Sequence, residues 1–101
     1  MTRRRFIIGI DGLNAAEEKE FRAFIGEYGA WWHWIGNMWL LTTKDEDISI
    51  AQIRDRIREI NPTARVVVFE TTQSLDWTAS RTVNAKGKVM SEWLRSNWDA
   101  E

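Results

Sequence analysis

Apolar and polar positions along the chain predict alternating strands and helices. Residues 5–11 (RFIIGID) are an apolar run that ends in Asp-Gly, which is typical of a buried strand followed by a turn. A helix is predicted over 15–28, because Asn14 and Glu17 have the spacing of a capping box. The apolar positions that follow recur on one helical face, and they are Phe21, Phe24, Ile25 and Tyr28.

The next segment, residues 28–41, holds four of the seven tryptophans and is predicted to form a β-hairpin. Gly36-Asn37 is a two-residue turn signal, which places strands at about 31–35 and 38–43. In that register Trp34 faces Trp39, and Trp32 faces Leu41. One face then carries Trp32, Trp34, Trp39 and Leu41, and the other carries His33, Ile35, Met38 and Leu40. Both faces of this hairpin are therefore apolar.

The second half of the chain predicts a helix, a strand and a C-terminal helix. Ser49 and Gln52 suggest another capping box, and a stripe of isoleucines continues until Asn61-Pro62 ends the helix. Residues 66–69 (VVVF) are typical of a fourth strand. The polar stretch 71–84 leaves open a short edge strand or an arm, and the apolar positions beyond it predict a last helix at about 86–97.

This order of elements predicts a single α+β domain over residues 1–101, with the ferredoxin-like split βαβ (βαββαβ) fold. Its core spans about 5–70, and 71–101 form a C-terminal strand or helix extension. Two helices can cover only one face of a four-stranded sheet, so the second apolar face needs another cover. The C-terminal helix of the same chain could supply it, or an identical sheet from a second copy. We expect the homodimer, with an interface formed by Trp32, Trp34, Trp39 and Leu41.

Composition narrows the classes of function. The chain has no cysteine and shows no signal-peptide pattern, which favours a reducing cytoplasm. No apolar run approaches the roughly 20 residues of a membrane helix, so no membrane partner is expected. The net charge of −1 gives no global attraction to phosphate, so contact with nucleic acid would need a local basic patch. The candidates for that patch are Arg3, Arg4, Arg5 and Arg65.

Three motifs carry a family resemblance. They are I-I-G-I-D in the first strand, Y-G-x-W-W-H-x-x-x-x-x-W-L from Tyr28 to Leu40, and S-I-A-Q-I-R-D from Ser49. Over roughly residues 5–70 the chain resembles the SinR family of small bacterial proteins. That family is similar to the ferredoxin-fold adaptor endonucleases of CRISPR spacer acquisition and to virulence-associated protein D.

The resemblance implies a role for one carboxylate. In the CRISPR-associated relatives the aspartate that ends the first strand lies near the dimer axis, where two such carboxylates could hold a divalent metal for phosphodiester hydrolysis. Asp11 matches that position. A single carboxylate per chain gives little to fix a hard cation, so the partner's Asp11, water and Asn14 would have to contribute. The alternative is that Asp11 and Gly12 only begin a polar turn, with Asp11 helping to cap the helix.

Two functions follow. We expect a non-catalytic, homodimeric interaction module that binds a protein partner of unknown identity and has no cofactor. The alternative is a metal-dependent endonuclease, acting on RNA or DNA, that uses Asp11 of each subunit with Mg²⁺ or Mn²⁺. A third option, an apolar ligand held between sheet and C-terminal helix, needs a pocket that bulky side chains are expected to fill.

His33 is the only histidine and lies between two tryptophans. It is expected to pack, with its polar tip satisfied by a neighbouring backbone group. An acid/base role or a pH-sensitive interface is the alternative. The glycines match no nucleotide-binding fingerprint, so no nucleotide cofactor is predicted.

Overall fold

Four strands and three helical segments form the fold in a computed structural model, which describes residues 3–73, 75–81, 83 and 87–100. The predicted start of the last helix, residue 86, and part of the polar stretch 71–84 lie outside the described residues. The elements are β1 (Arg4–Asp11), α1 (Ala15–Gly26), β2 (Ala30–Ile35), β3 (Met38–Thr43), α2 (Ile50–Ile60), β4 (Arg65–Thr71) and α3 (Met90–Trp93), which continues into a π-helical turn (Leu94–Trp98).

The sheet has the order β2-β3-β1-β4, and each neighbouring pair of strands is antiparallel. This order confirms the predicted α+β class and the ferredoxin-like βαββαβ arrangement. The element β4 pairs with β1 only, so its outer edge has no neighbouring strand among the described residues.

The helices α1 and α2 begin directly after the capping residues that the sequence predicts, Asn14 and Ser49. The Asn14 side chain accepts from the Glu17 backbone N–H and the Glu17 side chain accepts from the Asn14 N–H, each at 2.9 Å, so the capping box of α1 is confirmed. At α2 the Ser49 hydroxyl accepts from the Gln52 N–H at 3.1 Å. These bonds satisfy backbone donors that the first helical turn leaves without a partner.

The main core lies between the sheet and the two helices α1 and α2. Phe6 and Ile8 of β1 pack there against Phe21 of α1 and Ile53 of α2, all fully buried. Trp39 and Leu41 of β3 belong to the same core, with exposed fractions of 1% and 0%.

The predicted register of the β2–β3 hairpin is wrong beyond the turn. Ile35 pairs with Met38 as expected, but Trp32 pairs with Leu40 rather than Leu41. An irregularity between Trp32 and Ile35 inserts one extra residue into β2, which is a β-bulge. Because side chains alternate between faces, this insertion moves Trp39 and Leu41 to the face opposite that of Trp32.

The second sheet face is covered by the same chain. Trp32 and Leu40 form a second buried cluster with Leu94 and Trp98 of the π-helical turn. Of the two covers predicted for this face, the structure therefore has the C-terminal helix, and this corrects the expectation that a sheet from a second copy would lie on Trp32. Among the described residues no helix has the length and apolar character needed to cross a membrane.

Candidate functional site

Asp11 lies exposed at the end of β1, where its Cα partner across the sheet is Arg65 of β4. Gly12 follows with φ of 109°, a left-handed conformation that suits glycine, so the predicted turn is confirmed. Asn14, and not Asp11, provides the N-cap of α1. Within the described residues no group of three His, Cys, Asp or Glu side chains could hold a metal. The role of Asp11 in metal binding and catalysis stays a prediction.

The four predicted nucleic-acid-binding arginines do not form one surface. Arg4 donates to both carboxylate oxygens of Glu70 at 2.7 and 3.1 Å and to the Asp45 carbonyl at 3.0 Å. These bonds to Glu70 raise the pKa of the Arg4 guanidinium. Arg3 donates to the Thr42 hydroxyl at 3.2 Å. Arg65 is exposed at the far end of the sheet.

Arg5 is buried and holds the C-terminal segment. Its guanidinium donates to the carbonyl oxygens of Trp98, Thr72 and Ala100, the last two at 2.7 Å. Helix C-termini leave carbonyl groups without partners, and a cation there is favourable. Arg5 therefore fastens the C-terminal segment to β1, and each of its three side-chain nitrogens donates to a carbonyl of the protein itself.

The predicted interface residues are also divided. Trp32 is buried under the C-terminal helix, where its indole N–H donates to the Met90 carbonyl at 3.2 Å. Trp34 packs at the margin of the same cluster. Trp39 and Leu41 lie beneath α1 and α2. Since these side chains lie on opposite faces of the sheet, they do not form one exposed surface.

His33 packs as expected, with its imidazole stacked on Trp39. Its Nδ1 lies 3.0 Å from the Met38 carbonyl, and a carbonyl only accepts, so Nδ1 carries a proton. The other nitrogen, Nε2, lies 3.0 Å from a carboxylate oxygen of Glu18 on α1. Glu18 was not predicted here, because its link to His33 depends on how α1 crosses β2.

A cleft of about 590 Å³ lies between the sheet and the C-terminal segment, and we name it the indole cleft. Its floor comes from β1, β2 and β3, one wall comes from α3 and the turn after it, and the other wall comes from residues 75–81. Four tryptophans line it, namely Trp32, Trp34, Trp77 and Trp98. The expectation that bulky side chains would fill this space is wrong, because they form its walls instead.

The outer edge of β4 exposes apolar side chains on both sides of the sheet. Val67 and Phe69 are 51% and 58% exposed on the second face. On the helix side, Ile50 of α2 is 45% exposed next to the half-buried Val66 and Val68. The sequence signal for this surface was the run of β-branched residues in β4, which has no polar face.

Comparison of the chain with protein-family models, with curated proteins and with solved structures gives no match. The resemblance to the SinR family therefore depends on the three sequence motifs and stays a prediction.

Proposed function

We propose that the chain is a cytoplasmic, homodimeric interaction module whose two copies join through the outer edge of β4. The observation that supports this proposal is the exposure of Val67 and Phe69 on a strand whose outer edge has no neighbour in the part of the chain that the structure describes. An unpaired edge presents backbone N–H and C=O groups that can bond another strand. Native edges are commonly protected by proline, lysine or a bulge, and β4 (RVVVFET) contains neither residue.

The sequence of β4 is self-complementary in an antiparallel pairing. When the two-fold axis passes through Val68, Val67 lies opposite the partner's Phe69, and Arg65 lies opposite the partner's Thr71. This register uses the whole strand and places no like charges directly opposite each other. It also buries two apolar cross-strand pairs, which contribute roughly 0.2–1 kcal/mol each.

Residues on the sheet face that carries α1 and α2 also contribute to the proposed dimer interface. Four apolar residues, Ile50, Ala51, Val66 and Val68, line a shallow hollow of about 190 Å³ beside the edge of β4, together with Arg54, which is paired with Asp55. In the paired sheet this hollow meets its counterpart across the axis, so apolar surface is covered on both faces. The resulting eight-stranded sheet does not use the residues of the indole cleft of either copy.

This dimer does not support the endonuclease alternative. Asp11 lies opposite Arg65, at one end of β4 and three residues from the axis. The two Asp11 residues are then about 20 Å apart along the strands, given about 3.3 Å per residue. Shared metal binding would need a different dimer, and none of the described contacts favours one.

Charge exchange across the edge tests the proposal. Sedimentation equilibrium of the wild type is expected to show a dimer, whereas Val67→Lys and Phe69→Glu alone are expected to be monomeric. Mixing the two variants should restore a heterodimer, because the new lysine then faces the new glutamate while the other Val–Phe pair stays intact.

Val83→Glu is the matched control, since Val83 is 60% exposed and lies outside the β4 edge. It is expected to remain dimeric. A wild type that stays monomeric at every concentration, or a Phe69→Glu variant that stays dimeric, would contradict the β4 interface.

A further inference from the structure

We propose that the indole cleft binds a small, uncharged aromatic molecule. The cleft has a volume of about 590 Å³. Ligand sites in proteins typically have volumes of roughly 300–1,000 Å³ and apolar linings. The size and position of the cleft therefore suit a small molecule rather than a folded partner.

The apolar character of the cleft comes from all three of its sides. Ile7 and Leu40 lie on the sheet floor, Met90 and Leu94 lie on the helical wall, and Leu75 lies on the remaining wall. Of the four indole rings, Trp34 and Trp77 are half-buried, whereas Trp32 and Trp98 are nearly fully buried. Aromatic rings pack in offset or edge-to-face pairs, so these walls favour a ligand that is itself aromatic.

Two of the four indole N–H groups that line the cleft are already used within the chain. The Trp32 indole N–H donates to the Met90 carbonyl at 3.2 Å, and the Trp77 N–H lies 3.2 Å from both carboxylate oxygens of Asp99. A ligand that enters the cleft therefore meets the carbon surface of Trp77 and the exposed apolar side chains of Ile35 and Met38. Because a buried charge without a partner is costly, an uncharged ligand is favoured.

The charged residues of the cleft do not select an ion. Asp76 and Arg81 both belong to the 75–81 wall, and they have opposite charges. Their fields partly cancel for a ligand between them, so the choice of ligand depends on shape and apolar contact.

The site is independent of the proposed dimer, because no residue of β4 lines the cleft. Loss of ligand binding and loss of dimerisation can therefore be distinguished by different variants. An experiment can therefore contradict the ligand site without contradicting the dimer, and the reverse also holds.

The experiment uses the neutral aromatic probe N-phenyl-1-naphthylamine and follows energy transfer from tryptophan. We expect saturable binding of one probe per chain. Ile35 lines the cleft and is 54% exposed, so Ile35→Glu is expected to leave the fold intact. It should weaken the Kd by about tenfold or more, because it places a carboxylate beside the bound ring.

Val83→Glu is the matched control, since an exposed apolar residue is again replaced by glutamate, and Val83 is 60% exposed and lines neither the cleft nor the hollow beside β4. Its Kd is expected to equal that of the wild type. Met38→Trp supplies a second, uncharged variant, which should block binding by filling the space. Binding that does not saturate, equal loss in both glutamate variants, or unchanged binding in Ile35→Glu would overturn the proposal. A change in sedimentation of Ile35→Glu without a change in probe binding would assign the cleft to a second copy and would also overturn it.

Discussion

The imidazole of His33 lies flat on the indole of Trp39, with ring centroids 3.5 Å apart and 4° between the ring planes. Two hydrogen-bond acceptors, the Met38 carbonyl and the Glu18 carboxylate, fix the orientation of that imidazole. The stack connects β2 to β3 beside the bulge, and Glu18 connects both to α1. Because Met38 also lines the indole cleft, this arrangement supports the hairpin beside that cleft, and we expect it to be important for stability.

The coupling between Glu18 and His33 can be measured directly. Glu18→Ala removes the acceptor at Nε2 and is expected to lower the free energy of unfolding by about 1 kcal/mol. Glu18→Gln should lose less, because its amide keeps both an acceptor oxygen and a donor nitrogen within reach of Nε2. A double-mutant cycle with His33→Phe, which keeps a flat ring on Trp39, checks the pair by urea unfolding. Additive effects of the two substitutions would show that the contact contributes nothing.

Arg5→Met is expected to destabilise the fold by about 3 kcal/mol, because it removes a charged donor and leaves three carbonyl oxygens without it. Arg5→Lys should recover only part of this loss, since a lysine cannot reproduce the fork of donors. Urea unfolding followed by tryptophan fluorescence measures both variants. The exposed Arg58 gives the control, and Arg58→Met is expected to change stability by no more than about 0.5 kcal/mol. Equal losses of stability in Arg5→Met and Arg58→Met would show that Arg5 does not hold the C-terminal segment on β1.

Gly29→Ala should be strongly destabilising. A Cβ atom at this position would lie 2.0 Å from the Thr42 carbonyl oxygen, so the backbone of β3 would have to move. We expect a loss of about 3 kcal/mol, as for overpacked cores. Gly36→Ala is the matched control, because nothing lies within 4 Å of its added Cβ. Thermal unfolding of both variants makes the comparison, and similar melting temperatures would exclude the close approach at Gly29.

Asp11→Asn is expected to leave the fold and the oligomeric state unchanged. A hard cation such as Mg²⁺ prefers about six oxygen ligands, and the described residues supply no cluster of carboxylates around Asp11. We therefore expect calorimetry with Mg²⁺ or Mn²⁺ to show no site that depends on Asp11. Metal-dependent cleavage of RNA or DNA that disappears in Asp11→Asn would replace the proposed function with the endonuclease.

Much of the fold could be predicted because its signals are local. The capping box at Asn14 and Glu17 and the isoleucine stripe of α2 depend on residues a few positions apart, and the structure confirms both. The hairpin at Gly36-Asn37 was also predicted correctly. Its register was not, because neither turn residue has the positive φ of the usual two-residue hairpin turns and the bulge in β2 shifts the strands by one residue.

The candidate sites depend on contacts that periodicity does not encode. The hydrophobic pattern showed that the second sheet face needed a cover, but it did not distinguish a second copy from the C-terminal helix. That choice is made by Arg5, whose partners Trp98 and Ala100 lie at the other end of the chain. The indole cleft could not be predicted either, because its volume depends on how far residues 75–81 stand from the sheet.

The bond between Arg5 and Ala100 has a consequence for synthesis in the cell. A nascent chain can form β1, α1 and the β2–β3 hairpin well before residue 100 leaves the ribosome. During that interval Trp32 and Leu40 face water. A chaperone, or another nascent chain on the same mRNA, can then bind these side chains before the C-terminal segment does. Slow synthesis of residues 87–100 therefore prolongs the exposure of this intermediate.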